Sequence, residues 1–354
     1  MVISLVLLFI ICLILTFFEE QLKDRDKIFL YIIIGIAMIL IAGLREVGST
    51  PDTEDYEHMY NGNVNEILEQ AVEPSFTYIS SFLNSFSLSV TFLFLTYAII
   101  SITIHLTAFW KISKLPFLTL TIYISYYYMM HDMVQIRAAV ASGLFIWAIY
   151  CYVEKKKLLT LVFILTGTLF HYSAILGLTI FLMNDNIPKW QEYILYALVP
   201  LGLVAYFTGL DLSSFVPENI GGEKLKLYRE LKEYGMDDEQ AGWPLKHNFL
   251  IWMNIILYYA CIYYHEFLTK QCKYVPIAIK VQAFAFCCLF FLQGVSKVLS
   301  NRLNDYFSVA SIILWTVSVY AFSPKIISRI INNVISTIRF VASMLAYALS
   351  LLWI

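Results

Sequence analysis

The sequence predicts an all-α polytopic integral membrane protein, and three observations predict it. Of 354 residues, 60% are hydrophobic and only 14% charged, where soluble domains carry roughly a quarter charged residues. Apolar runs of about 17–25 residues, the length that crosses a bilayer core, recur along the whole chain. The short polar segments between them alternate between lysine-rich and lysine-poor, as loops on opposite sides of a membrane do. Together these give a single membrane domain over residues 1–354, with about 10–12 transmembrane helices and two larger external loops at about 45–87 and 211–247.

The spans follow in order, with sidedness set by lysine and arginine marking the cytoplasmic side. Val2–Phe18 has no positively charged leader and no small-residue cleavage site, so it reads as a retained span and not a signal peptide. Lys23, Arg25 and Lys27 place the next loop inside, and Ile28–Leu44 crosses outward. Glu73–Phe86 mixes serines with aromatics and reads as a helix lying on the membrane. Leu88–Trp110 returns to Lys111 and Lys114, Pro116–Met130 crosses out, and Ile136–Val153 crosses back to Lys155–Lys157. Tyr274–Gly294, Tyr306–Phe322 and Val334–Trp353 obey the same rule, with Phe249–Phe267 starting outside. Leu158–Met183 would be about 39 Å long as one helix, more than a bilayer needs, so a break is expected at Phe170–Ser173. Polar side chains there can satisfy the backbone groups that a break frees.

Composition excludes several classes. The net charge of -2 says nothing about nucleic acid, but no basic patch with interleaved aromatics occurs, so no nucleic-acid partner is expected. Five of the six cysteines lie in apolar runs and no C-x-x-C is present, which argues for packing over disulfides or zinc. There is no phosphate-binding glycine loop and no soluble catalytic domain. Neither a metal nor another cofactor is expected; Asp52, Asp55 and His58 are metal-ligating types at an unspecific spacing.

Four polar clusters fall on or near the expected external side: Arg45 with Asp52, Asp55, Tyr56 and His58; His131, Asp132, Gln135 and Arg137; His171; and Asn301, Arg302, Asn304, Asp305 and Tyr306. Arginines at outer span ends run against the positive-inside bias, and an ionisable group at depth costs several kcal/mol unless paired or facing a cavity. Arg137 stands among small residues that let another backbone or a ligand approach. Planar guanidinium groups suit phosphate because they donate two parallel hydrogen bonds, so their convergence points to a phosphate-bearing lipid. Each residue also has an ordinary reading. Arg45 could snorkel to headgroups, Arg302 could pair with Asp305 in its own helix, and His131 or His171 could simply fill a turn or a packed interior.

REVGSTPDTEDY at 45–56, QIRAAVASGLFIWAI at 135–149, LFHYSAIL at 169–176 and NRLNDYF at 301–307, in this order, resemble the EpsG family of Wzy-like polysaccharide polymerases. The chain departs from that pattern in carrying extra residues between Gly48 and Asp52, which leaves the family's acidic position to either Asp52 or Asp55. The resemblance implies a glycosyltransferase that joins undecaprenyl-pyrophosphate-linked oligosaccharides at the outer face of the bacterial inner membrane, for O-antigen, capsule or exopolysaccharide. A chain-length regulator and membrane lipids are the implied partners. In that scheme Arg45, Arg137 and Arg302 hold the pyrophosphates, and Asp52, Asp55 or His171 is the base. Tyr56, His131, Asp305 and Tyr306 then orient the substrate. Rival readings are an O-antigen ligase on the same lipid, a flippase or transporter, and an acyltransferase with His171 as base.

Overall fold

The computed structural model describes residues 1–62, 72–209, 248–321 and 324–352; the expected external loop at 211–247 lies outside them. Every regular element among the described residues is helical, and the chain is an all-α polytopic membrane protein. Three helices are long and apolar enough to cross a bilayer, α2 (Asp24–Gly43), α5 (Val90–Ile112) and α7 (Ile136–Val153), with shorter apolar helices beside them. The chain separates into two compact units, residues 1–178 with 315–354, and residues 179–314.

The first unit begins with α1 (Val2–Phe18) and α2, followed by the short helices α3 (Thr53–Tyr60) and α4 (Pro74–Ser85). Within the stretch expected as an external segment at about 45–87, the described residues form α3 and, where a helix on the membrane is expected, α4. Tyr56, Tyr60, Phe76 and Leu83 supply an apolar face that packs on α5. Next come α5, α6 (Pro116–Ser125), a π-helical turn at Tyr128–Val134, α7 and α8 (Lys157–Phe170). The helix that would have been too long does break, at His171 (φ -152°, ψ 113°), and continues as a 3-10 helix from Tyr172 to Leu182.

α5 is the central post of this unit, with α2 and α7 packed along it, and α8 along α7. Glycines allow the close contact: a Cβ on Gly43 would lie 2.8 Å from the Leu95 Cα, and one on Gly143 would lie 3.0 Å from the His105 ring. Small residues at helix crossings are how membrane helices gain packing where lipid removes the hydrophobic incentive. The outward faces are apolar, with Ile3, Leu7, Ile32 and Ile36 exposed on α1 and α2. In water such a surface would aggregate, whereas against lipid tails it is neutral.

After the short α14 (Ser311–Val317), the last helix, α15 (Lys325–Leu352), starts nine residues before the span expected at Val334–Trp353. It is amphipathic with its polar side inward. Ser328, Arg329, Asn332, Asn333 and Arg339 are buried, while Ile327, Ile330, Val334 and Ile338 are exposed. Two of the inward polar groups bond to other helices or their ends: Asn333 donates to Thr16 Oγ1 at 2.7 Å and Ser343 to the Ser125 carbonyl at 3.0 Å. Arg339 packs against the rings of Tyr126, Tyr127 and Trp315.

Where α1 ends, Glu19 is buried and accepts the Phe117 and Leu118 amides at 3.0 and 3.4 Å, two of the donors left over at the start of α6. Arg329 lies 3.9 Å from Glu19 and 3.4 Å from Glu20. Burial nevertheless dominates and pushes the Glu19 carboxyl up from 4.5 to about 7. A carboxyl raised in the folded state contributes stability that is present below about 4.5 and lost as pH rises through about 7. Glu19→Gln, which keeps a carbonyl acceptor for the amides, is therefore expected to flatten the pH dependence of the melting temperature over that window. Thermal unfolding in detergent from pH 4.5 to 8 measures it; an unchanged slope would refute the assignment.

The second unit contains α9 (Lys189–Thr208), α10 (Phe249–Tyr263), α11 (His265–Gln271), α12 (Val275–Phe291) and α13 (Lys297–Ser308). Asn248 and Ser296 cap α10 and α13 by accepting the Ile251 and Leu299 amides. α12 packs on both α9 and α13. Lys280 donates to the carbonyls of Asn184 and Asn186 at 2.8 and 2.7 Å.

Candidate active site

In the first unit, four chain segments meet at one end of the helices. α2 stops after Gly43, and its close approach to Leu95 delivers Arg45 onto the face of Phe94, with Cζ 4.2 Å from the ring centroid. Arg45 is 4% exposed and donates to the Ala42 carbonyl. Its Nε and Nη2 have no hydrogen-bond partner among the described residues. Burial pulls the guanidinium down to about 10, partly offset by Tyr56, Tyr128, Asp132 and Asp52, so it is still a cation at neutral pH.

Beyond Arg45 the chain turns at Gly48 (φ +78°), a conformation glycine adopts without strain. Gly48 N donates to Thr53 Oγ1, Thr53 donates to the Thr50 carbonyl, and Thr50 ties the loop to the Met133 carbonyl at 2.9 Å. Asp52 then starts α3 half-buried, whereas Asp55 and His58 lie on its exposed side and Tyr56 is buried on the inner one. Burial pushes the Tyr56 phenol above its usual range, and its oxygen accepts a hydrogen bond from the Arg137 guanidinium.

Arg137 is the second residue of α7, with its Cζ 5.5 Å from the Tyr56 ring and 5.6 Å from Phe76. Tyr56 in turn packs edge-on against Phe94 at 6.5 Å, so Arg45 and Arg137 flank one pair of rings. Arg137 is ion-paired to Glu73, whose side chain is completely buried while that of Arg137 is 21% exposed. The other oxygen of Glu73 lies 3.2 Å from His171 Nδ1. Glu73 is placed by its position before Pro74, at the start of α4, and His171 by the helix break. Tyr172 donates to the Val72 carbonyl at 3.3 Å and pins the break to the same strand of chain.

Two of the three predicted phosphate-binding arginines, the base candidates Asp52 and His171, and Tyr56 therefore share one end of the first unit. Arg302 is exposed on α13 of the second unit, with Asp305 half-buried and Tyr306 buried edge-on to Phe307. His131 is fully buried in the π-helical turn and stacks on Tyr127 at 5.9 Å. Its neighbour Asp132, expected near the external surface, instead reaches inward. It accepts from Ser101 in the middle of α5 at 2.6 Å and from Tyr123. The π-helical geometry, with its extra residue per turn, is what rotates this segment into the bundle.

Sequence reasoning missed Glu73 as a site residue. Its signal was faint, a single acid before a proline, and it read as the opening of an interfacial helix.

Charged groups set this deep among aromatic rings at a helix-bundle end define a class: a polytopic membrane protein with a buried cationic site. Residues 27–353 match the EpsG family, and the chain belongs to it. Membership supports a polymerase-like role in exopolysaccharide biosynthesis. No curated protein and no solved structure matches the chain.

Proposed function

We propose that this protein joins oligosaccharide repeat units carried on undecaprenyl pyrophosphate, at the outer face of the bacterial inner (cytoplasmic) membrane, to build O-antigen, capsule or exopolysaccharide. The observation that carries the reading is the pairing of Arg45 and Arg137 around the Tyr56–Phe94 rings, with part of the Arg137 guanidinium still open. Guanidinium groups in a water-poor site bind a diphosphate and stabilise the charge it acquires as it leaves.

The terminal hydroxyl of one unit attacks the anomeric carbon of the other. A new C–O bond forms there, the bond to the phosphate oxygen breaks, and the lipid diphosphate departs with the electron pair. The hydroxyl proton passes to a base, for which Asp52, Asp55 and His171 are the candidates. Diphosphate is a good leaving group, so no strong acid is required. Arg302 is the third arginine proposed for the pyrophosphate, and His131, Asp305 and Tyr306 join Tyr56 as the residues proposed to orient the substrate.

The test is the pattern of lipid-linked sugars in a deletion strain. One capped repeat unit with no ladder above it is the expected result. A full ladder that is merely not attached to its acceptor identifies a ligase, and repeat units trapped on the inner leaflet identify a flippase; either overturns the reading.

A further inference from the structure

Resting on the polymerase reading, we infer that Glu73 is the positioning residue that couples the phosphate-binding Arg137 to His171 and makes His171 the base. A counter-ion for one arginine needs only one carboxylate oxygen. Glu73 gives Oε2 to Arg137 and Oε1 to His171 Nδ1, and it does so from a fully buried position. Accepting from Nδ1–H fixes the imidazole tautomer and leaves the basic lone pair on Nε2, the geometry in which an orienting carboxylate serves a proton-accepting histidine. Asp55, by contrast, sits on the exposed side of α3.

The step balances. The acceptor hydroxyl gives its proton to Nε2 as its oxygen bonds the anomeric carbon, and the diphosphate leaves with the electrons of the broken bond. The resulting imidazolium is held by Glu73, whose charge is shared with Arg137. The other titratable groups around this pair are Tyr56 on α3, Tyr97 on α5 and Tyr172 beside His171. Glu73 itself does not touch the sugar.

The experiment uses the purified full chain in liposomes, with lipid-linked repeat units extracted from the deletion strain as substrate. Undecaprenyl diphosphate without sugar serves as the binding probe. Glu73→Gln is expected to lower kcat by about 100-fold or more, with KM unchanged within about twofold and the diphosphate bound at least as tightly, since a negative charge beside Arg137 is gone. In a His171→Asn background the same substitution is expected to cost nothing further, because coupled residues are non-additive. Should Glu73→Gln not accumulate, His171→Asn alone is expected to show the same split between kcat and diphosphate binding. Wild-type turnover in Glu73→Gln overturns the inference, as does parallel loss of binding and turnover, or additive losses in the double variant. A wild-type chain that binds the probe but never elongates overturns the polymerase reading itself and the inference with it.

Discussion

Arg137→Lys is expected to reduce polymer output by about 10²–10³-fold while the protein still accumulates in the membrane. Lysine keeps a positive charge opposite the buried Glu73, so the interior remains neutral overall. What it loses is the planar fork that can hold the Glu73 carboxylate with one edge and a phosphate with the exposed remainder. An ammonium is a single point charge, and Glu73 would claim it. Alanine is a poorer probe, because it would strand the carboxylate as well as remove the phosphate contact. Immunoblotting of membranes together with the sugar ladder checks both halves of the expectation. Wild-type ladders from Arg137→Lys would show that the bidentate geometry is not used.

The fold was largely legible in the sequence because the bilayer imposes simple rules. Span length follows from its thickness, and the break at His171 followed from a segment too long for one crossing. α15 was harder: its polar face Ser328, Arg329, Asn332, Asn333 and Arg339 points into the protein, the reverse of a soluble amphipathic helix. A hydropathy reading therefore placed its start at Val334, where the polar residues thin out. The arginines of the site were visible because each stands out in an apolar context. Glu73 was not, since its importance comes from two partners 64 and 98 residues further along the chain, and no local pattern reveals such a meeting. Asp132 misled for the same reason in reverse. Beside His131 it looked like part of a surface turn, and only the π-helical turn shows that it faces Ser101.

The same ion pair allows stability to be separated from activity. Replacing Glu73 with leucine leaves Arg137 as a buried cation with no carboxylate, and breaking a buried pair on one side costs about 3–5 kcal/mol. Glu73→Leu is therefore expected to accumulate poorly and to melt well below wild type. Adding Arg137→Met removes the stranded charge and fills the space beside Tyr56 and Phe76 with apolar volume. A buried pair exchanged for well-packed hydrophobic residues is often neutral or stabilising, so the double variant is expected to recover most of the melting temperature. It should make no polymer, because the cation that would meet the diphosphate and the carboxylate that orients His171 are both gone. Were the pair present only to hold α4 against α7, the double variant would regain function along with stability. Thermal unfolding in detergent and the sugar ladder, measured on the two variants side by side, separate these outcomes: recovered stability without recovered polymer means that the charges are retained for chemistry.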